Sequence, residues 1–240
     1  MPHISSSARA TPGQSDMSRE GWAALLLATA AVLYNSWVLE FVLPTGLDPR
    51  HSYVSELYAA DQPFRLLFGG IEAACAVIVM AGALLAGRSA EGPWAHAGWA
   101  SVLALGMSSL GDVILPMRCA PSVEWSCDAV HPWHTATSAL AHFFLFASMV
   151  FFYAAGAGER PRLPMIRRWG VRVLAAALTT AVSTIGPLFG HPGWHGIPQR
   201  AHLLLVGVWF ALLAAELTGL GATVGPSFRT AGPHPEQPRA

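Results

Sequence analysis

Six long apolar runs dominate this chain and constrain its fold more than any other feature. A helix that crosses the hydrocarbon core of a bilayer needs roughly 20 mostly apolar residues at a rise of about 1.5 Å each. The six runs that reach or approach this length are 22–43, 64–86, 94–115, 135–155, 169–189 and 198–220. The pattern predicts an all-α fold, a polytopic membrane bundle of six transmembrane helices within residues 21–221.

The composition supports a membrane class and argues against nucleic-acid binding. Of the 240 residues 53% are hydrophobic and 12% are charged, whereas a soluble domain usually carries about 25% charged residues. The formal net charge is zero, so no basic surface for a nucleic acid is expected.

The two ends of the chain differ in composition from the apolar runs. Run 22–43 is too long for the apolar core of a signal peptide, which is roughly 7–15 residues, so we expect it to remain as the first helix. Residues 1–20 and 222–240 are rich in Ser, Pro, Gly and Gln, a composition that predicts disordered tails.

The arginines predict an orientation in the membrane. Every basic residue is arginine, and with the N-terminus inside, ten arginines lie on the inner side. The outer side then holds four, which are Arg50, Arg65, Arg118 and Arg200. Because positive charge favours the cytoplasmic side, we predict that the N- and C-termini are both in the cytoplasm.

The predicted outer connector between the third and fourth runs contains two cysteines, Cys119 and Cys127. An oxidising compartment would allow a disulfide between them. The alternative is that they are two unrelated thiols.

Ionisable and polar residues inside the spans gather toward the predicted outer side. Such residues are costly in a bilayer, so they tend to face the bundle interior and to mark function. The candidate polar pocket consists of Glu72, Ser108, Asp112, His134, His142, Arg200 and His202. The alternative for each is an interfacial position or a structural polar contact between helices.

A short motif in the first outer connector carries a family resemblance. Ser55-Glu56-Leu57 precedes Pro63, while Gly111-Asp112 closes the third run and Gln199-Arg200 opens the sixth. Together with His134 and His142, these residues resemble the prokaryotic membrane family called domain of unknown function 998, over roughly residues 20–220. The Ser-Glu-Leu to Pro stretch is also distantly similar to the Frag1/DRAM/Sfk1 membrane proteins. The resemblance implies a prokaryotic cytoplasmic (inner) membrane protein with Ser55 and Glu56 as candidate site residues, and it assigns no activity.

Three functions stay open at this point. The first is a non-enzymatic membrane protein whose outward-facing His/Asp/Glu pocket binds a lipid headgroup, an ion or a membrane protein partner. The second is a metal-dependent hydrolase of a lipid ester or amide, with zinc on Asp112, His134, His142 and His202. The third is a small proton-coupled carrier that uses Glu72 and His142 as a proton relay. No nucleophile–base, phosphate-loop or zinc-protease motif is present, so no cofactor is predicted, and zinc belongs only to the second function.

Overall fold

The computed structural model describes residues 17–128, 130–157, 163–190 and 193–219. The predicted tails lie almost wholly outside these ranges. Within them the chain is helical, and no strand is present. The α-helices are α1 Arg19–Leu33, α2 Arg65–Gly87, α3 Pro93–Ile114, α4 Pro132–Ala155, α5 Pro164–Val182 and α6 Gly196–Leu217. Three short 3-10 helices are Ser36–Phe41, Val54–Tyr58 and Gly186–Phe189.

The predicted class, a helical membrane bundle, is confirmed. Five helical segments are long and apolar enough to cross a membrane, and the first of them combines α1 with the 3-10 helix that follows. The exception is α5, which carries Arg167, Arg168 and Arg172 near its start. It nevertheless runs between the two ends of the bundle, because Ile166 contacts α6 near that helix's end and Thr184, just beyond α5, contacts Tyr53 at the other end.

Local sequence signals explain where the helices begin. Proline occupies the first turn of α3, α4 and α5. Backbone N–H groups in this turn have no partner within the helix, so the lack of an N–H in proline costs no hydrogen bond there. The Ser18 hydroxyl caps α1 by accepting a hydrogen bond from the Gly21 N–H at 3.1 Å, as expected of a serine N-cap.

The first apolar run is interrupted rather than forming one continuous helix. After α1 ends at Leu33, Asn35 donates from Nδ2 to the Ala31 carbonyl at 3.0 Å. Its Oδ1 accepts from the Trp37 indole at 3.1 Å. A side chain that bonds to the backbone in this way competes with the helical ladder, and the chain continues as the 3-10 helix Ser36–Phe41.

The helices pack as a closed bundle in which α3 lies between α2 and α4, and α1 lies between α2 and α6. Trp209, Phe152 and Phe210 are the largest fully buried side chains. Gly106 permits the close approach of α3 to α2, because a Cβ at that position would lie 2.7 Å from Met80 Cγ. Small residues at helix interfaces serve this purpose in membranes.

Three connectors meet at one end of the bundle, which we call the capped end. They are residues 34–64, 115–131 and 183–195, described except for positions 129, 191 and 192. The Gly196 N–H donates to the Arg50 carbonyl at 3.1 Å, and the Ala60 N–H donates to the Met117 carbonyl at 2.8 Å. These contacts hold the first connector across the mouth of the bundle.

Candidate functional site

A cavity of about 430 Å³ lies beneath the capped end. This volume is within the range of about 300–1,000 Å³ that is typical of small-molecule sites. Five of the predicted pocket residues line it, and they come from four helices: Glu72 of α2, Asp112 of α3, His134 and His142 of α4, and His202 of α6.

Asp112 is held by the first turns of α4. The Thr137 hydroxyl donates to Oδ1, and the Ser138 hydroxyl donates to Oδ2 at 2.9 Å. His134 Nδ1 lies 3.6 Å from Oδ1, which is close enough for an ion pair but too long for a hydrogen bond. His134 is 6% exposed, and its Nδ1 is the one buried side-chain nitrogen or oxygen in the described parts of the chain that lacks a hydrogen-bond partner.

Glu72 contrasts with Asp112 in having no local partner. Its carboxylate lines the cavity and the residue is half-buried. Within the described ranges, no hydrogen bond or ion pair reaches this carboxylate, although Asp112 is near enough to act on it electrostatically. A carboxylate in this position is available to a ligand.

His142 and His202 stack face to face in the cavity wall. Their ring centroids are 4.8 Å apart and the planes are inclined by 16°. His142 Nδ1 lies 2.7 Å from the Ser138 carbonyl, and His202 Nδ1 lies 3.0 Å from the Ala177 carbonyl. Because a carbonyl oxygen only accepts, Nδ1 carries the proton in each ring, which leaves Nε2 of the neutral imidazole as an acceptor.

The remaining walls are largely apolar and aromatic. Tyr34, Trp37, Tyr58, Phe68 and Phe146 all line the cavity. No arginine is among the described lining residues, and the chain contains no lysine. The described lining therefore combines carboxylates and imidazole acceptors with aromatic faces, and it carries no permanent positive charge.

Two of the predicted pocket residues lie outside this cavity lining. The Ser108 hydroxyl donates to the Ala104 carbonyl at 2.9 Å within α3, while its neighbour Ser109 lines the cavity. Arg200 forms a two-pronged ion pair with Glu40, from Nε to Oε1 at 2.5 Å and from Nη2 to Oε2 at 2.6 Å.

Arg200 also anchors the first connector. Its Nη1 donates to the carbonyls of Pro49 at 2.7 Å, Ser52 at 2.9 Å and Gly196 at 3.1 Å. Arg200 and Glu40 are 5% and 6% exposed, so the pair is saturated within the protein. The geometry gives Arg200 a structural role.

The Ser-Glu motif of the first connector forms part of the cap. Ser55 lines the cavity, whereas Glu56 accepts hydrogen bonds from the Tyr53 N–H at 2.8 Å and from the Ser122 N–H and hydroxyl at 3.0 and 2.5 Å. Burial raises the pKa of Glu56 above its usual value, against the opposing effect of these hydrogen bonds. Burial also raises the pKa of Tyr53 to about 12.

Ser122 belongs to a loop closed by a disulfide between Cys119 and Cys127. Cys127 Sγ lies 3.8 Å from Nε2 of the buried His131. Burial lowers the pKa of His131. The disulfide thus supports the loop that holds Glu56, and through it the cap over the cavity.

The predicted zinc ligands are not assembled as a metal site. Ligands of one zinc ion each lie about 2.0–2.3 Å from it, so their ligand atoms must lie close together. In the described ranges, the one group of three such residues with ligand atoms within 4.8 Å of one another is Cys119, Cys127 and His131. Its two cysteines are joined in the disulfide and offer no thiolate.

The sequence reasoning missed Thr137, Ser138 and the aromatic walls. A signal existed for the first two, since Ser138 lies four residues from both His134 and His142, and Thr137 lies three residues from His134, so both are near the histidines on the helix surface. The aromatic walls come from separate elements, and no local spacing identifies them.

Comparison with curated proteins and with solved structures finds no match. The expected similarity to the Frag1/DRAM/Sfk1 proteins therefore stays a prediction. The model of the protein family described as "Protein of unknown function (DUF998)" matches residues 19–216, a stretch that contains all six α-helices except the last residue of α6. This chain is a multi-pass membrane protein that belongs to the DUF998 family, whose function is unknown.

Proposed function

We propose that the protein binds an amphipathic molecule in the cavity, with a protonated primary amine as its polar end. The observation that carries this proposal is the Glu72 carboxylate, which has no hydrogen-bond or ion-pair partner among the described residues and lies in a cavity that also holds Asp112. An anionic headgroup would be repelled by these carboxylates, and no arginine is among the described lining residues to offset that repulsion.

The hydrogen-bonding pattern favours a donor-rich headgroup. Nδ1 of His142 and of His202 already donates to a carbonyl, so both Nε2 atoms offer acceptor sites. An ammonium group has three donors and no acceptor, which matches Glu72 and the two imidazoles. Aromatic faces add favourable contacts for a cation, and the apolar walls suit a hydrocarbon chain.

Binding of tritiated dodecylamine to the full chain in lipid nanodiscs tests this proposal, with empty nanodiscs measuring simple partition into lipid. Glu72→Gln removes a charge-assisted hydrogen bond that contributes about 1.5–3 kcal/mol. The expected result is a loss of affinity of about 10- to 100-fold. The matched control is Glu20→Gln, which removes one carboxylate from the first turn of α1 at the opposite end, and its affinity should equal that of the unaltered protein.

Two further ligands test the headgroup chemistry. Dodecyl sulfate carries the opposite charge, and dodecyltrimethylammonium carries the positive charge without N–H donors. We expect the amine to bind most tightly of the three. Equal binding of amine and sulfate, or equal affinities of Glu72→Gln and Glu20→Gln, would contradict the proposal.

We also propose that the capped end faces the outside of a prokaryotic inner membrane, with both termini in the cytoplasm. Arginine counts support this orientation, and a disulfide at the capped end suits an oxidising compartment. A membrane-impermeant maleimide applied to intact cells should label Ala60→Cys at the capped end and spare Ser89→Cys at the other, since both positions are exposed. The reverse labelling would contradict this orientation.

Neither alternative function gains an observation that favours it. A zinc hydrolase requires a gathered ligand set, and the predicted ligands are not gathered. A proton carrier requires a path to the opposite end, where Glu216 instead accepts a hydrogen bond from the Ile166 N–H at 2.8 Å and satisfies the first turn of α5.

A further inference from the structure

The exposed part of the cavity wall consists of apolar residues. Among its described lining residues, those that are exposed are Ala139 of α4, Leu178 and Val182 of α5, and Ile185 just beyond α5. The side chains of Leu178 and Val182 are 48% and 57% exposed. An opening bordered by apolar side chains between two helices faces hydrocarbon more favourably than water.

The α4 border of this opening lies below the capped end, at a depth within the bilayer. Ala139 is seven residues beyond the first residue of α4, which is about 10 Å along the helix axis. The hydrocarbon core is about 30 Å thick. Phe143, one turn further along α4, is 62% exposed, as expected for a lipid-facing side chain. His142 lies beside it and lines the cavity.

The first connector covers the cavity on the side of the capped end. The residues of the first connector that line the cavity include Tyr53, Val54, Ser55 and Tyr58, and none of these is exposed. The Val54 N–H donates to Gln199 Oε1 at 2.6 Å, and the Tyr53 hydroxyl donates to the Thr184 carbonyl at 2.9 Å. These bonds connect the cap to α6 and to the end of α5.

We infer that the ligand enters laterally from the bilayer, through the gap between α4 and α5. The ligand is then a membrane lipid that carries a primary amine, and a water-soluble amine is a poor ligand. The headgroup would reach Glu72 and the stacked imidazoles, while the hydrocarbon chain would lie against Leu178 and Val182 and extend into the bilayer. This inference rests on the proposed function, because it names the source and class of the ligand for the same cavity.

Narrowing the gap tests the inference. Ala139→Trp places a large ring at its border, and the matched control Ala136→Trp alters an exposed alanine of the same helix that does not line the cavity. The measurement is the association rate of tritiated dodecylamine with the full chain in nanodiscs. We expect at least a tenfold slower rate in Ala139→Trp and no change in Ala136→Trp.

A second variant and its control, on the α5 border of the gap, ensure that the test does not depend on a single substitution. Val182→Trp should also slow association, whereas Val171→Trp, at an exposed valine of α5 outside the cavity lining, should not. Thermal unfolding of all four variants establishes that they are folded. Tritiated butylamine, which has the same headgroup and a short chain, should bind at least 100-fold more weakly than dodecylamine.

The outcomes separate this inference from the proposed function. If the unaltered protein binds dodecylamine and both gap variants match their controls in rate, lateral entry is wrong while the binding function stands. Butylamine binding as tight as that of dodecylamine would likewise overturn the lipid assignment alone. Failure of the unaltered protein to bind dodecylamine above empty nanodiscs would overturn both.

Discussion

The buried ion pair between Arg200 and Glu40 offers the sharpest test of how this fold is held together. Both charge-assisted hydrogen bonds are short, and both side chains are almost fully removed from solvent. Glu40→Gln removes the negative charge and leaves the guanidinium buried without compensation. Removing one partner of a buried pair costs about 3–5 kcal/mol.

The expected magnitude follows from what glutamine retains. Its carbonyl oxygen can still accept a hydrogen bond from one guanidinium N–H. Its NH₂ group, however, is a donor and occupies the position of the second carboxylate oxygen, which accepts from Arg200 in the unaltered protein. We therefore expect the lower part of the range, about 3 kcal/mol. For a domain of this size, about 2–4 °C is lost per kcal/mol, so the melting temperature should fall by roughly 6–12 °C.

The chain carries its own reporter for this measurement. Cys75 is a free cysteine that is 1% exposed, so its reaction with a thiol-specific fluorescent dye on heating follows unfolding in detergent. The control is Asp48→Asn, which disrupts the exposed ion pair of Asp48 with Arg50. Because solvent screens that pair, no resolvable shift is expected.

A double-variant cycle isolates the pair itself. Glu40→Gln combined with Arg200→Met removes both charges, and its loss should fall short of the sum of the single losses by about 0.5–3 kcal/mol. Strict additivity would refute the coupling. A Glu40→Gln variant that melts like Asp48→Asn would refute the structural role of the pair altogether.

Three further predictions concern the cap and the helix interface. Burial raises the pKa of Glu56, so the folded state holds this proton more tightly than the unfolded chain. This contribution to the free energy of unfolding is fully present below the ordinary pKa of 4.5 and is lost as pH rises through the folded-state pKa. The melting temperature of Glu56→Gln should therefore lack this pH dependence. A Glu56→Gln variant with the same pH profile as the unaltered protein would contradict the prediction. Reduction of the Cys119–Cys127 disulfide should cost about 2–3 kcal/mol, measured as a fall in melting temperature, and Cys119→Ser with Cys127→Ser should abolish the response to reductant. Gly106→Leu should lower the free energy of unfolding by about 1–3 kcal/mol through overpacking. Its control is Gly70→Leu, at a position with open space around it, which should melt within about 2 °C of the unaltered protein, since about 2–4 °C corresponds to 1 kcal/mol.

Helix count and class were predictable because each depends on local composition. Roughly 20 apolar residues in a row have one favourable conformation in lipid, since every backbone N–H and C=O must find a partner inside the segment. Boundaries were less predictable. The first run was expected to be one helix, but the Asn35 side chain bonds to the preceding turn. The fifth helix begins at Pro164, five residues before the apolar run, because its arginines are helical as well.

The candidate residues show the same division. Glu72, Asp112, His134, His142 and His202 were identified from their cost in a bilayer, and they line one cavity. Arg200 satisfied the same criterion and belongs to an ion pair. Its partner Glu40 is 160 residues away, and sequence alone provides no means of pairing them.

By itself, the sequence determined that this chain is a helical membrane protein with ionisable groups concentrated toward one end of the bundle. Transfer from water to lipid depends on the residue and its near neighbours, so it can be read along the chain. The tertiary structure alone decided which groups are satisfied and which are free. Asp112 is bonded by α4 and Arg200 by the first connector, whereas Glu72 lines the cavity and has no hydrogen-bond or ion-pair partner in the described part of the chain. The physical reason is that hydrogen bonds and ion pairs depend on distances of a few ångströms between distant segments, and only the packed helices set those distances.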